Sequence, residues 1–197
     1  MKKKNKVIIP IFAVIAVIAA GIITLAVYNS SLIDIDNYKE IDTLMKSTQQ
    51  NFAENEPYKK YNKTVSDEVI KKTEYYLVKN KDYAAVFYKL DGNTDVIILK
   101  KDRKLSNKYK VINSSSTDKH IEKYIETDEN TKLFALYITK NKHKFDTVKV
   151  VDKSGKKELF SQKINSYPFY VLFVDDENSN LEIQYLKNDK IVKTEKW

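Results

Sequence analysis

The sequence predicts a mainly β protein: an N-terminal transmembrane helix, a membrane-proximal amphipathic helix, then an antiparallel β-sandwich or two small tandem β units. Three observations predict it. Residues 7–28 are an uninterrupted uncharged run; apolar positions recur every three or four residues between Ile35 and Phe52; and beyond Ser66 short runs of Tyr, Val, Ile, Phe and Thr alternate with turn residues.

The run from Val7 to Tyr28 is almost wholly Ile, Val, Ala, Leu and Phe. At ~1.5 Å per helical residue it is about 33 Å long, enough to cross a hydrocarbon core of ~30 Å. Lys2, Lys3, Lys4 and Lys6 precede it and no cation follows closely, so the positive-inside rule puts the N-terminus in the cytoplasm and the rest of the chain outside. A cleaved signal would have an apolar core of about 7–15 residues and a small-x-small exit. This run is longer, and Ala26-Val27-Tyr28 breaks that exit pattern, so a retained signal-anchor is the better reading. The chain then divides into a cytoplasmic basic tail (1–6), the membrane helix (7–28), a membrane-proximal helical segment and linker (29–65) and an extracytoplasmic β-rich domain (66–197).

In the linker, Ile35, Tyr38, Ile41, Leu44, Met45 and Phe52 trace one helix face, and Asn37 with Glu40 resembles a capping box. Pro57 ends the pattern. Strands are expected near 69–79, 83–90, 94–101, 109–115, 132–140, 146–152, 157–164, 168–175, 180–187 and 190–196, while 120–126 suits either a short helix or a strand. Asp91-Gly92 is a strong hairpin signal, since glycine accepts the positive φ of a primed turn; Lys153-Ser154-Gly155 and Asn188-Asp189 join further strands. Most of these runs are only half apolar, which predicts sheets with one wet face. Val86–Asp102 and Val171–Asp189 share a strand, acidic turn, strand grammar. The likeness allows two related units, 66–127 and 128–197, beside ordinary hairpin convergence.

Composition excludes several functions. The net charge of +8 includes the four N-terminal lysines, leaving +4 for everything after the membrane run. Arg103 is the one arginine, so the planar fork that reads bases is nearly absent and nucleic-acid binding is not expected. There is no cysteine, hence no thiol catalysis, disulfide or lipidated-cysteine anchor. The two histidines, His120 and His143, sit in lysine-rich stretches suited to the surface, and no Gly-x-Ser-x-Gly occurs. Three scattered glycines make no phosphate-cradling loop. No cofactor is implied. Asp175, Asp176 and Glu177 offer the oxygen ligands calcium prefers, but without the spacing of a dedicated loop, so a solvated turn is the simpler reading.

The best functional hint is aromatic. Fourteen tyrosines and eight phenylalanines are many for a small core. Tyr75-Tyr76 and Tyr167-Pro168-Phe169-Tyr170 put neighbours on opposite sheet faces, so one of each pair can point outward to grip sugar rings or an extended peptide. Packing within strands competes with that reading. In style, the lysine-rich, arginine-poor chain with a basic start, one anchor and a β-rich exterior resembles envelope proteins of low-GC Gram-positive bacteria. The expectation is a non-enzymatic binding or accessory module for an envelope protein or anionic wall polymer. Two alternatives stand beside it. An envelope-polymer hydrolase would set Asp175 or Glu177 against a second acid about 5–9.5 Å away in a groove. A structural subunit of a membrane complex would expose an apolar patch around Ile41, Leu44 and Met45.

Overall fold

The protein is described from a computed structural model, which covers residues 31–54, 67–90, 92–105, 107–117, 121–128, 131–139, 145–154, 157–177 and 179–196, together with Tyr28. The membrane run lies outside these residues except for Tyr28, as do His120 and His143. Among the described residues no helix is long and apolar enough to cross a membrane.

The fold is mainly β, with antiparallel sheets and few helices. A two-residue strand β1 (Ile33–Asp34) leads into helix α1 (Tyr38–Glu54) and then helix α2 (Asp67–Lys72). Strands β2 (Tyr75–Asn80), β3 (Tyr83–Leu90), β4 (Asn93–Lys101) and β5 (Lys108–Thr117) join β1 in a five-stranded first sheet, ordered β1-β5-β4-β3-β2. Strands β6 (Ile121–Asp128), β7 (Thr131–Ile138) and β10 (Phe169–Asp175) form a three-stranded second sheet, ordered β10-β7-β6. Strands β8 (Thr147–Asp152), β9 (Lys157–Lys163), β11 (Leu181–Lys187) and β12 (Lys190–Lys196) form the third, ordered β12-β11-β8-β9.

Period-two alternation sorts the side chains into four layers. Ala84, Val86, Tyr88, Ile97 and Leu99 on one face of the first sheet pack on Ile41, Leu44 and Met45 of α1. Tyr83, Ala85, Phe87, Val96 and Ile98 on its other face meet Leu133, Ala135, Tyr137, Leu172 and Val174 of the second. The second sheet's far face, with Phe134, Leu136, Ile138, Val171 and Phe173, closes against Val148, Val150, Leu181, Ile183 and Tyr185 of the third. The wet-face expectation holds for the third sheet, where Lys149–Glu158 (2.7 Å) and Lys153–Glu182 (2.7 Å) stand as ion pairs. The central strands of the first two sheets are covered on both sides, which is why β3, β4 and β7 read as nearly continuous buried runs.

Local chemistry fixes the turns and caps. Lys187 pairs with Lys190 across Asn188 and Asp189, whose φ values of 48° and 61° are the left-handed pair a primed hairpin turn needs. Gly92 has φ 88° between the paired Leu90 and Asn93. At the start of α1 the Asn37 carbonyl oxygen of the side chain accepts the Lys39 N–H (3.1 Å). Glu40 reaches further back than a capping box would, accepting the Asp34 N–H at 2.6 Å. That bond, reinforced by Lys108, holds the Glu40 carboxyl below the usual carboxylate range.

Two sequence expectations change and one open alternative is resolved. The strand expected over 69–79 begins as helix α2, closed by the Thr73 hydroxyl donating to the Val69 carbonyl (2.8 Å), and only Tyr75 onward is extended. The ambiguous stretch after His120 is strand β6, which pairs with β7 along its whole length. The two look-alike stretches fold differently: β3 and β4 are a hairpin within one sheet, whereas β10 and β11 lie in different sheets.

Candidate functional site

Each aromatic pair does split across its strand, as alternation requires, and the split scatters the five residues over three layers. Tyr75 packs on the helix side of the first sheet, while Tyr76 turns to the space between the first and second sheets. Tyr167 and Phe169 pack toward the third sheet, Phe169 being buried, whereas Tyr170 faces the first. Tyr76 and Tyr170 meet, with ring centroids 4.7 Å apart.

Two residues absent from the sequence reading complete this cluster. Phe87 lies 5.7 Å from Tyr137 and 6.2 Å from Tyr170, and Tyr76 lies 6.4 Å from Tyr137. They belong to β3 and β7, strands too apolar for any one residue to stand out; the convergence arises from stacking two sheets.

Two rings of the cluster, Tyr76 and Tyr137, line a groove of about 660 Å³ together with Pro168, Lys72, Glu74 and Lys89 among others, while Phe87 is buried behind them. The register explains its position. Tyr75 pairs with Tyr88 and Phe169 with Ile138, so the groove occupies the end of both sheets at which β2 and β10 begin. Burial and the neighbouring Tyr76 and Glu74 push the Tyr137 hydroxyl up to about 12. A second groove, about 750 Å³, runs between α1 and α2 and is lined by Tyr38, Lys39, Asp42, Lys46, Lys71 and Tyr75. Its walls mix charge with two tyrosines, Tyr38 and Tyr75.

The acidic turn does other work. Asp175 is buried, and its oxygens accept the Ser179 N–H (2.9 Å), the Glu177 N–H (3.3 Å) and the Ser179 hydroxyl (3.3 Å). Those bonds shape the crossover from the second sheet to the third. Asp176 is held by Lys81 at 2.6 Å, which keeps its carboxyl below the ordinary range. Among the described residues no three His, Asp or Glu groups gather in a way that could hold a metal ion.

At the opposite pole the chain enters the domain. The Tyr28 hydroxyl donates to Asp102 in the β4–β5 turn, and Lys101 N–H bonds to the Asp82 carbonyl of the β2–β3 turn (2.6 Å). Lys100–Asp128 (2.8 Å) and Lys81–Asp176 join the first sheet to the second here.

Burial also raises the hydroxyls of Tyr88 and Tyr185 above the ordinary tyrosine range. With folded values above the unfolded ~10, the native state binds more protons in alkali, so stability is intact below pH ~10 and falls as pH rises towards and past 12. Absorbance at 295 nm is expected to show a late-titrating group of tyrosines that appears together with loss of the β circular-dichroism signal. Simultaneous titration of all the tyrosines with the fold intact would contradict this.

No known protein family, characterised protein or solved structure matches the chain, so its function is read from the geometry above.

Proposed function

We propose that the protein is a membrane-anchored, extracytoplasmic binding module of a bacterial envelope whose aromatic groove takes a segment of wall polymer. One observation carries this reading: Tyr76 and Tyr137, two rings of the aromatic cluster, line a groove flanked by Lys72 and Lys89, with Glu74 the one acid among the described lining residues. Ring faces suit the apolar faces of sugars, and two ammonium groups suit an anionic substituent.

Hydrolysis draws no support from the acids first considered for it. Asp175 spends its oxygens on its own loop, and Glu177 lies on that same turn, away from the ring cluster. The subunit reading needs an exposed patch at Ile41, Leu44 and Met45, which are instead buried under the first sheet. A β-sandwich built from the second and third sheets, with the first sheet stacked outside it, is the finer architecture this reading assumes.

The test is a thermal-shift screen of the full-length chain in detergent against peptidoglycan fragments, anionic wall polymers and neutral glycans. At 100-fold over its dissociation constant a ligand adds about 2.7 kcal/mol, a shift of roughly 5–11 °C for this size. The shift should vanish in Tyr76→Ala. Equal shifts in wild type and Tyr76→Ala would move the site elsewhere; no shift with any polymer would favour a protein partner.

A further inference from the structure

We infer that the tip of the β4–β5 turn is a contact for an anionic phospholipid surface, which fixes the domain on the membrane with its aromatic groove facing away. The inference rests on the anchoring reading above and adds an orientation to it.

The apolar run ends at Tyr28, a residue type that favours the membrane–water interface. Tyr28 does not sit apart from the domain: its hydroxyl is bonded to Asp102 and its carbonyl accepts the Ser31 hydroxyl at 2.7 Å. The turn that holds it continues as Arg103, Lys104 and Leu105, all exposed, with Leu105 37% accessible, one of few large apolar side chains left open. Asp102 faces both Tyr28 and Lys104 and donors of its own turn, the Lys104 and Leu105 N–H groups at 2.8 and 3.0 Å, so the one acid of the tip is committed inward. Lys101, Arg103 and Lys104 outnumber it beside the point where the chain would leave the bilayer, with Arg103 also acting on Asp128 of β6. An exposed leucine flanked by cations, next to an interfacial tyrosine, is the pattern that inserts shallowly between anionic headgroups.

Register makes the contact orient the whole domain. The β4–β5 turn, the β2–β3 turn and β1 share one end of the first sheet, because Tyr83 pairs with Lys100, Lys101 with Tyr109 and Asp34 with Lys108. The groove occupies the other end, about 23 Å away along the eight residues of β3 at ~3.3 Å each. A tip resting on lipid thus points the groove outward, towards polymer.

The chain has no cysteine, so single labels are straightforward. Leu105→Cys and, as the far-pole control, Lys89→Cys would carry an environment-sensitive fluorophore in the full-length chain, in nanodiscs of phosphatidylcholine alone or mixed equally with phosphatidylglycerol. Several-fold stronger quenching by lipid-borne quenchers is expected at position 105 than at 89 in the anionic discs, falling with added salt and with Arg103→Gln plus Lys104→Gln. A water-like probe at 105 in anionic discs, with the chain retained by membranes through a carbonate wash, overturns the orientation while sparing the anchor. Release in the carbonate wash overturns both.

Discussion

Phe134→Ala is expected to cost about 3–5 kcal/mol, the range for emptying a large aromatic from a packed core. At this chain length the melting temperature should fall by roughly 6–20 °C. Phe134 is wholly buried on the central strand of the second sheet, directly opposite Phe173, which in turn lies 5.8 Å from Phe160 of the third sheet. Its neighbours are strands on either side and a sheet above, so nothing can slide in to fill the space. The comparison is Ile191→Ala on the exposed strand β12, where a change within about 0.5 kcal/mol is expected. Comparable losses at the two positions, measured by urea denaturation, would mean that the middle layer is not the packed centre.

Gln49→Leu is expected to cost about 2–3 kcal/mol, and for a different reason. The Gln49 amide donates to Asp95 at 2.8 Å and to the Tyr88 hydroxyl at 3.0 Å beneath α1, where both acceptors are buried. A hydrogen bond to a charged group contributes about 1.5–3 kcal/mol, and its loss leaves a carboxylate worse solvated inside the fold. Tyr88→Phe removes only the neutral acceptor and should cost about 1 kcal/mol. Asp95→Asn in the Gln49→Leu background should recover part of the loss by removing the buried charge. No recovery, together with additive Gln49 and Tyr88 effects in a double-mutant cycle, would show that the three groups do not act as a unit.

These two sites mark how far the sequence could be read. Strands and hairpin turns were legible, because Asp91-Gly92 and Asn188-Asp189 carry their geometry in their own chemistry. The helix face of Ile41, Leu44 and Met45 was legible from its spacing. Helix α2 was missed because it is six residues long and, among its described side chains, buries Ile70 alone, leaving periodicity nothing to measure. Tyr76 and Tyr170 stood out as candidates, yet Phe87 and Tyr137 complete their cluster from strands 50 residues apart, a meeting decided by how the sheets stack. Neither Gln49 nor Asp95 stands out in the sequence. Their pairing is a long-range contact that local pattern does not encode.

The order of strands in the middle layer has a consequence for how the chain is made. Between β7 and β10 the polypeptide leaves to build the β8–β9 hairpin of another sheet, so the layer closes only when Asp175 arrives. All strands of the first sheet are present by Thr117. During vectorial synthesis the face of Tyr83, Ala85, Phe87, Val96 and Ile98 can first be covered only in part, by Leu133, Ala135 and Tyr137 of β7, and waits for Leu172 and Val174 until nearly sixty residues after Thr117 have emerged. Non-local closure of this kind is slow and aggregation-exposed, so biogenesis, more than the finished fold, is where this protein would lean on a chaperone.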